Sequence, residues 1–235
     1  MNYSLSVGTA VVAVPTVADT KRAFYQYHAR PIHSVYQRVV EELLVEMHLL
    51  QVNVAYRYHS LYGLGVVTSF DTLMANYTPT AHRDSIFQAL CRALHHDPQT
   101  LRADAERLKT LAQGESGAAL RAWLAHPDTP LSTDDPLQRE LLSWLTPPPP
   151  KYSRLVGIGL FRLVQTLWPD QEDQWLPAVR TLAQALNLDA EKVERDLDLY
   201  RSTLERLTQA QAVLADILKG SKAKSNPVLP EVPTS

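Results

Sequence analysis

The sequence predicts an all-α protein: a multi-helix bundle with a weak internal duplication and a long C-terminal coiled-coil-like helix. Three observations carry this. Leu, Ala, Gln, Glu and Arg dominate the chain, Gly numbers only 8 in 235 residues, and the period-two alternation of strands is nearly absent. A glycine-bearing apolar segment occurs twice. Tyr58, Leu61, Gly63, Gly65, Thr72 and Leu73 return in order and spacing as Tyr152, Leu155, Gly157, Gly159, Thr166 and Leu167. After a small change of offset, Leu90, Ala93, Leu94, Asp97 and Asp104 return as Leu182, Ala185, Leu186, Asp189 and Asp196. Finally, a heptad seam runs near the C-terminus.

The elements follow in order. Residues 1–15 read as a flexible N-terminus. Thr16 with Asp19 forms a capping box that opens a helix through Phe24 and Tyr27. Pro31 suits the first turn of the next helix. That helix is amphipathic through Ile32, Val35, Val39, Leu43, Met47, Leu50 and Val54. The first glycine helix, from about Tyr58 to Met74, is apolar nearly all round, as a central bundle helix is. Gly63 and Gly65 each destabilise a helix interior by about 1 kcal/mol relative to Ala. Two positions apart, they predict close-packed neighbours on opposite sides. The same holds for Gly157 and Gly159.

Asn76 to Pro79 form a turn, and Thr80 is placed to cap a helix through Ile86, Phe87, Leu90 and Leu94. Asp97 and Pro98 open the following helix, which Gly114 ends. A short helix surrounds Leu120 to Leu124. Pro127 and Pro130 break the chain, and Asp135-Pro136 opens another short helix through Trp144. Pro147 to Pro150 read as a stiff spacer. The second glycine helix stops at Trp168-Pro169, a helix through Val179, Leu182 and Leu186 follows, and Asp189 caps the last helix. The body thus spans 16–189, the long seam helix 190–219 and a disordered tail 220–235.

In that last helix Val193, Leu197, Tyr200, Leu204, Leu207, Gln211, Leu214 and Leu218 alternate steps of four and three. The first half is expected to dock on the body. The second half, Leu204, Leu207, Gln211, Leu214 and Leu218, is expected to meet a partner. A helix packed wholly on its own domain is the alternative.

Net charge is −2, so no basic field argues for nucleic acid. The single cysteine, Cys91, sits on an apolar helix face and reads as a buried hydrophobe. The run Val11 to Val14 lacks the n- and h-regions of a secretory signal. Leu155 to Trp168 is too short to cross a bilayer and carries Arg162 and Gln165. His28, His33, His48 and His59, near Glu41, Glu42 and Glu46, raise the reading of a metal-dependent helical enzyme. Against it, the chain has no His-Glu-x-x-His, and Val45 stands where a Glu-x-x-His needs its acid. Gly-x-Ser-x-Gly is absent, and the Gly-x-Gly tripeptides lack a third glycine and a strand, so no cofactor is expected. Dispersed basic residues, Lys21, Arg22, Arg30, Arg38 and Arg57, leave a lipid-surface role as a further alternative.

Several runs resemble one family. They are Val17-Ala-Asp-Thr-Lys-Arg-Ala-Phe24, Arg30-Pro-Ile-His33, Glu41-Glu-Leu-Leu-Val-Glu46, Gly65-Val-Val-Thr68 with Phe70-Asp71, Lys151-Tyr-Ser-Arg-Leu155 and Val193-Glu-Arg-Asp-Leu-Asp-Leu-Tyr-Arg-Ser202. Together they resemble the thylakoid formation family, also called photosystem II biogenesis proteins, over about residues 16–218. The resemblance implies a non-enzymatic helical protein without cofactors, peripheral to the thylakoid on its cytoplasmic or stromal face. It implies a role in photosystem II biogenesis and repair, with FtsH-class membrane protease complexes as partners. The N-terminal extension and residues 114–150 depart from the family pattern.

Overall fold

The computed structural model describes residues 14–224, with side chains through Val213; the expectations for most of the N-terminal segment and for the tail beyond Lys224 lie outside these. Ten α-helices follow one another: α1 (Val17–Tyr27), α2 (Ser34–Gln51), α3 (Ser60–Leu73), α4 (Thr80–Ala93), α5 (Pro98–Gln113), α6 (Glu115–Ala125), α7 (Pro136–Ser143), α8 (Arg154–Leu167), α9 (Trp175–Ala185) and α10 (Ala190–Lys224). A 3-10 turn, Glu172–Gln174, precedes α9. Among the described residues there is no strand.

Local side-chain caps set several of the starts. Thr16 accepts from the Asp19 N–H while Asp19 accepts from the Thr16 N–H, closing the capping box of α1. Asp97, Asp135 and Asp189 cap α5, α7 and α10 through backbone N–H groups. Two starts differ from expectation. α2 begins at Ser34, so Pro31 lies before the helix, and His33 is its N-cap. Pro79, not Thr80, occupies the N-cap of α4, and no side chain caps it. Gly114 both ends α5 and precedes α6.

The core is built around α3 and α8, which pack on each other at its centre. Leu61, Leu64, Val66 and Phe70 of α3 and Leu155, Leu160, Leu163 and Val164 of α8 are almost fully buried. Helix α5 covers α3 on its other side, and α9 and α10 cover α8. Helix α1 bridges α2 and α4. At the contact of α3 with α8, a Cβ on Gly65 would sit 1.7 Å from the Leu155 carbonyl oxygen, and one on Gly159 would sit 2.0 Å from that of Leu61. The two backbones therefore touch. Gly63 and Gly157 differ: the nearest obstacle is a tyrosine hydroxyl, Tyr58 at 2.6 Å and Tyr152 at 2.8 Å, rather than another backbone.

Several devices occur in both halves. The Tyr58 hydroxyl donates to Asp104 (2.7 Å) and that of Tyr152 to Asp196 (2.9 Å), each tying the segment before a glycine helix to the helix two elements on. His95 and Asn187 both take left-handed φ, 55° and 54°, at the ends of α4 and α9. Each is followed by an N–H that reaches back past the helix end, His96 to Cys91 and Leu188 to Ala183.

Candidate functional site

The long last helix is held further along its length than the seam predicts. Val193 and Leu197 are fully buried, Tyr200 and Leu207 nearly so, and Leu204 is half-buried against the core. The Gln211 amide donates to the Tyr36 hydroxyl of α2 (3.2 Å), and its carbonyl accepts from the Asn76 amide (3.1 Å). This corrects the expectation that Leu207 and Gln211 face a partner: Leu207 is nearly buried within the chain, and α2 and the α3–α4 turn hold the Gln211 side chain. The polar seam residue pins α10 within the chain. Leu214 and Leu218 fall beyond the described side chains. The helix itself continues to Lys224, five residues past its expected end and through Gly220.

Where α10 crosses α2, an open trough of about 1050 Å³ lies between them. On α2 it is lined at steps of three and four from Ser34 to Leu50, with Asn53 just past the helix end, and on α10 by Lys192, Asp196, Leu199, Thr203 and Arg206. It therefore runs lengthwise between two helix faces. The loop into α8 closes one end with Lys151 and Tyr152. Tyr36 at the start of α2 meets Gln211 late in α10, while Glu46 lies near Asp196, so the two helices run antiparallel.

The trough floor holds a partly buried ion pair. Arg154 at the start of α8 donates through Nε to Glu46 (3.0 Å) and through a terminal nitrogen to the same carboxylate oxygen. Burial pushes the Glu46 carboxyl above the usual carboxylate range, with Asp196 adding to the rise, and Arg154 only partly opposes this. The rim is paired as well: Lys21 with Glu41 (2.7 Å), Arg38 with Glu42 (2.9 Å) and Lys192 with Asp196 (3.3 Å). Lys21 in turn holds the Glu41 carboxyl below its ordinary value. Leu49 and Leu199 stand on the two walls, 59 % and 47 % exposed.

The histidines are distributed rather than gathered. Nδ1 of His28 pairs with the Ser85 hydroxyl (2.9 Å) and Nδ1 of His48 with that of Thr20 (2.8 Å), while His33 packs edge-on to Tyr36. His59 accepts from the Leu61 N–H through Nδ1, so its Nε2 carries the proton and donates to Ser143 (2.9 Å). Among the described residues no group of three or more His, Cys, Asp or Glu is placed to hold a metal ion. Cys91 is buried, and burial pushes its thiol up to about 12, so thiolate chemistry is suppressed. No helix among the described residues is long and apolar enough to cross a membrane. The trough was not legible beforehand. Its signal in the sequence was the pair of apolar residues, Leu49 and Leu199, that stand off the buried stripes of their helices.

The profile of the thylakoid formation protein family matches residues 16–227, spanning every helix just described. The chain belongs to the thylakoid formation protein family. Protein Thf1 of Trichormus variabilis is 49 % identical over 212 residues, covering 89 % of this chain and 91 % of that one. Protein Thf1 of Nostoc punctiforme is 46 % identical over 214 residues, covering 90 % and 91 %. A solved structure of Psb29 superposes with a TM-score of 0.70 at 39 % identity, covering 89 % of this chain and 98 % of that chain. The family's description names a process, thylakoid formation, and no reaction.

Proposed function

We propose that the protein is a non-enzymatic accessory factor for thylakoid formation and for photosystem II biogenesis and repair. It binds and supports FtsH-class protease complexes while peripherally associated with the cytoplasmic face of the thylakoid. The observation that carries this reading is the family match, which runs across the whole described bundle and into α10. The likeness to Psb29 supports the photosystem II side of it. The length of α10 beyond Gln211, about 13 residues and ~20 Å at ~1.5 Å per residue, supports a contact beyond the body. Leu214 and Leu218 continue the seam there and are the proposed contact residues.

Affinity purification of the tagged protein from gently solubilised thylakoid membranes tests the proposal. The expected result is enrichment of FtsH subunits, at least tenfold reduced by Leu214→Ser with Leu218→Ser while the helical circular dichroism signal is kept. Recovery of the protein without FtsH subunits would refute the protease role. Undiminished recovery with the double variant would refute the contact residues alone.

A further inference from the structure

The trough between α2 and α10 has the chemistry of a docking site that the chain itself leaves unfilled. It is an open groove lined along two helices, not a cleft that closes over most of a small ligand's surface. Its walls are two antiparallel helix faces, the geometry into which a third helix lays an apolar stripe. Leu49 and Leu199 offer apolar surface to such a helix from opposite walls.

Charge identifies the occupant. Every carboxylate of the trough is matched by a cation of this chain: Glu41 by Lys21, Glu42 by Arg38, Glu46 by Arg154 and Asp196 by Lys192. Among the described residues, Lys151 and Arg206 line the trough without a carboxylate partner. They stand at opposite ends. Lys151 donates its backbone N–H to Ala55, just past the end of α2. Arg206 precedes by five residues the Gln211 that bonds Tyr36, near the start of α2. The helical rise puts about 20 Å between them. We infer that the α2–α10 trough docks an amphipathic helix of a partner protein that carries acidic residues near both ends of an apolar stripe. A flat anionic membrane fits less well, because Glu41, Glu42 and Asp196 share the rim with the cations. This surface is separate from the distal α10 contact and does not rest on the protease reading.

The test uses the full chain and two fluorescein-labelled helical peptides with one leucine stripe. One carries glutamates about four turns apart, the other lysines at the same places. Fluorescence anisotropy is expected to show binding of the glutamate peptide, weakened tenfold or more when lysines replace the glutamates. Lys151→Glu with Arg206→Glu is expected to reverse that preference. Leu199→Asp is expected to weaken both peptides, with helical signal unchanged. Equal binding of the two peptides, or no response to the charge reversal, would overturn the inference. So would capture by phosphatidylglycerol vesicles in place of the peptide, or a self-association lost in Leu199→Asp without peptide binding. Because protease recovery is read separately, either proposal can fail while the other stands.

Discussion

At the scale of single residues, what decides the structure is which atoms meet the glycines. The four repeated glycines look alike in sequence, yet they divide into two kinds. Gly65 and Gly159 face carbonyl oxygens of the opposing central helix, which cannot move without separating α3 from α8. Gly63 and Gly157 face the hydroxyls of Tyr58 and Tyr152, ends of side chains that can swing aside. Gly65→Ala and Gly159→Ala are therefore expected to destabilise the fold by about 3 kcal/mol or more. For Gly63→Ala the net change is expected within about 1 kcal/mol, because the alanine helix preference offsets the disturbed tyrosine–aspartate bond. Urea unfolding of the four variants measures this directly; equal losses at all four positions would contradict the division. Gly117, whose Cβ would meet the Ala112 carbonyl at 1.7 Å, is a fifth close approach that no repeat signalled.

At the scale of elements, capping chemistry was the most legible part of the chain. The Asp97, Asp135 and Asp189 starts and the Thr16 capping box are local, and the residues that set them lie within three positions of each other. Elements whose ends depend on distant neighbours were less legible. Pro31 could open α2 by local rules, but the chain between α1 and α2 stays extended there and the helix waits for Ser34. The seam of α10 was visible as a heptad, but a heptad records only that a face is covered, not by what. The covering surface is α8 and α9 at first and Tyr36 and Asn76 later, residues more than a hundred positions away. It follows that Leu207→Ala acts on the body. Its expected cost is about 2 kcal/mol in chemical denaturation, since a nearly buried leucine is truncated. Amide exchange of α10 is expected to slow through Gln211 and to accelerate in that variant; unchanged stability would mean that α10 is not docked there.

At the scale of the whole molecule, buried and half-buried imidazoles couple the fold to pH. Burial holds His96 down to about 4, with His95 adding to the effect, and burial likewise lowers His28 and His59. The native state thus takes up fewer protons than the unfolded chain over this range. The stability these imidazoles contribute is complete above about pH 6.5, the ordinary imidazole value, and is lost as the pH drops from there toward 4. For His96 alone the loss is up to about 3 kcal/mol at ~1.4 kcal/mol per pH unit. Denaturant midpoints at pH 7.5 and pH 5 are expected to differ in this direction, and His96→Gln is expected to shrink the difference. An unchanged difference would show that the imidazole is accessible to solvent protons in the folded state.

The contact of Gly65 with Gly159 also constrains how the two halves can move. Sliding one central helix past the other by a turn would set the Leu61 carbonyl against Leu155 or Leu163, the residues four before and four after Gly159. Neither leaves room for it. A one-turn ratchet between α3 and α8 is therefore sterically barred, and the halves can only pivot about the point where their backbones touch. Helix α2 touches α3 and α10 touches α8, so the trough between them is expected to answer to a pivot of the two central helices and not to a slide of one along the other.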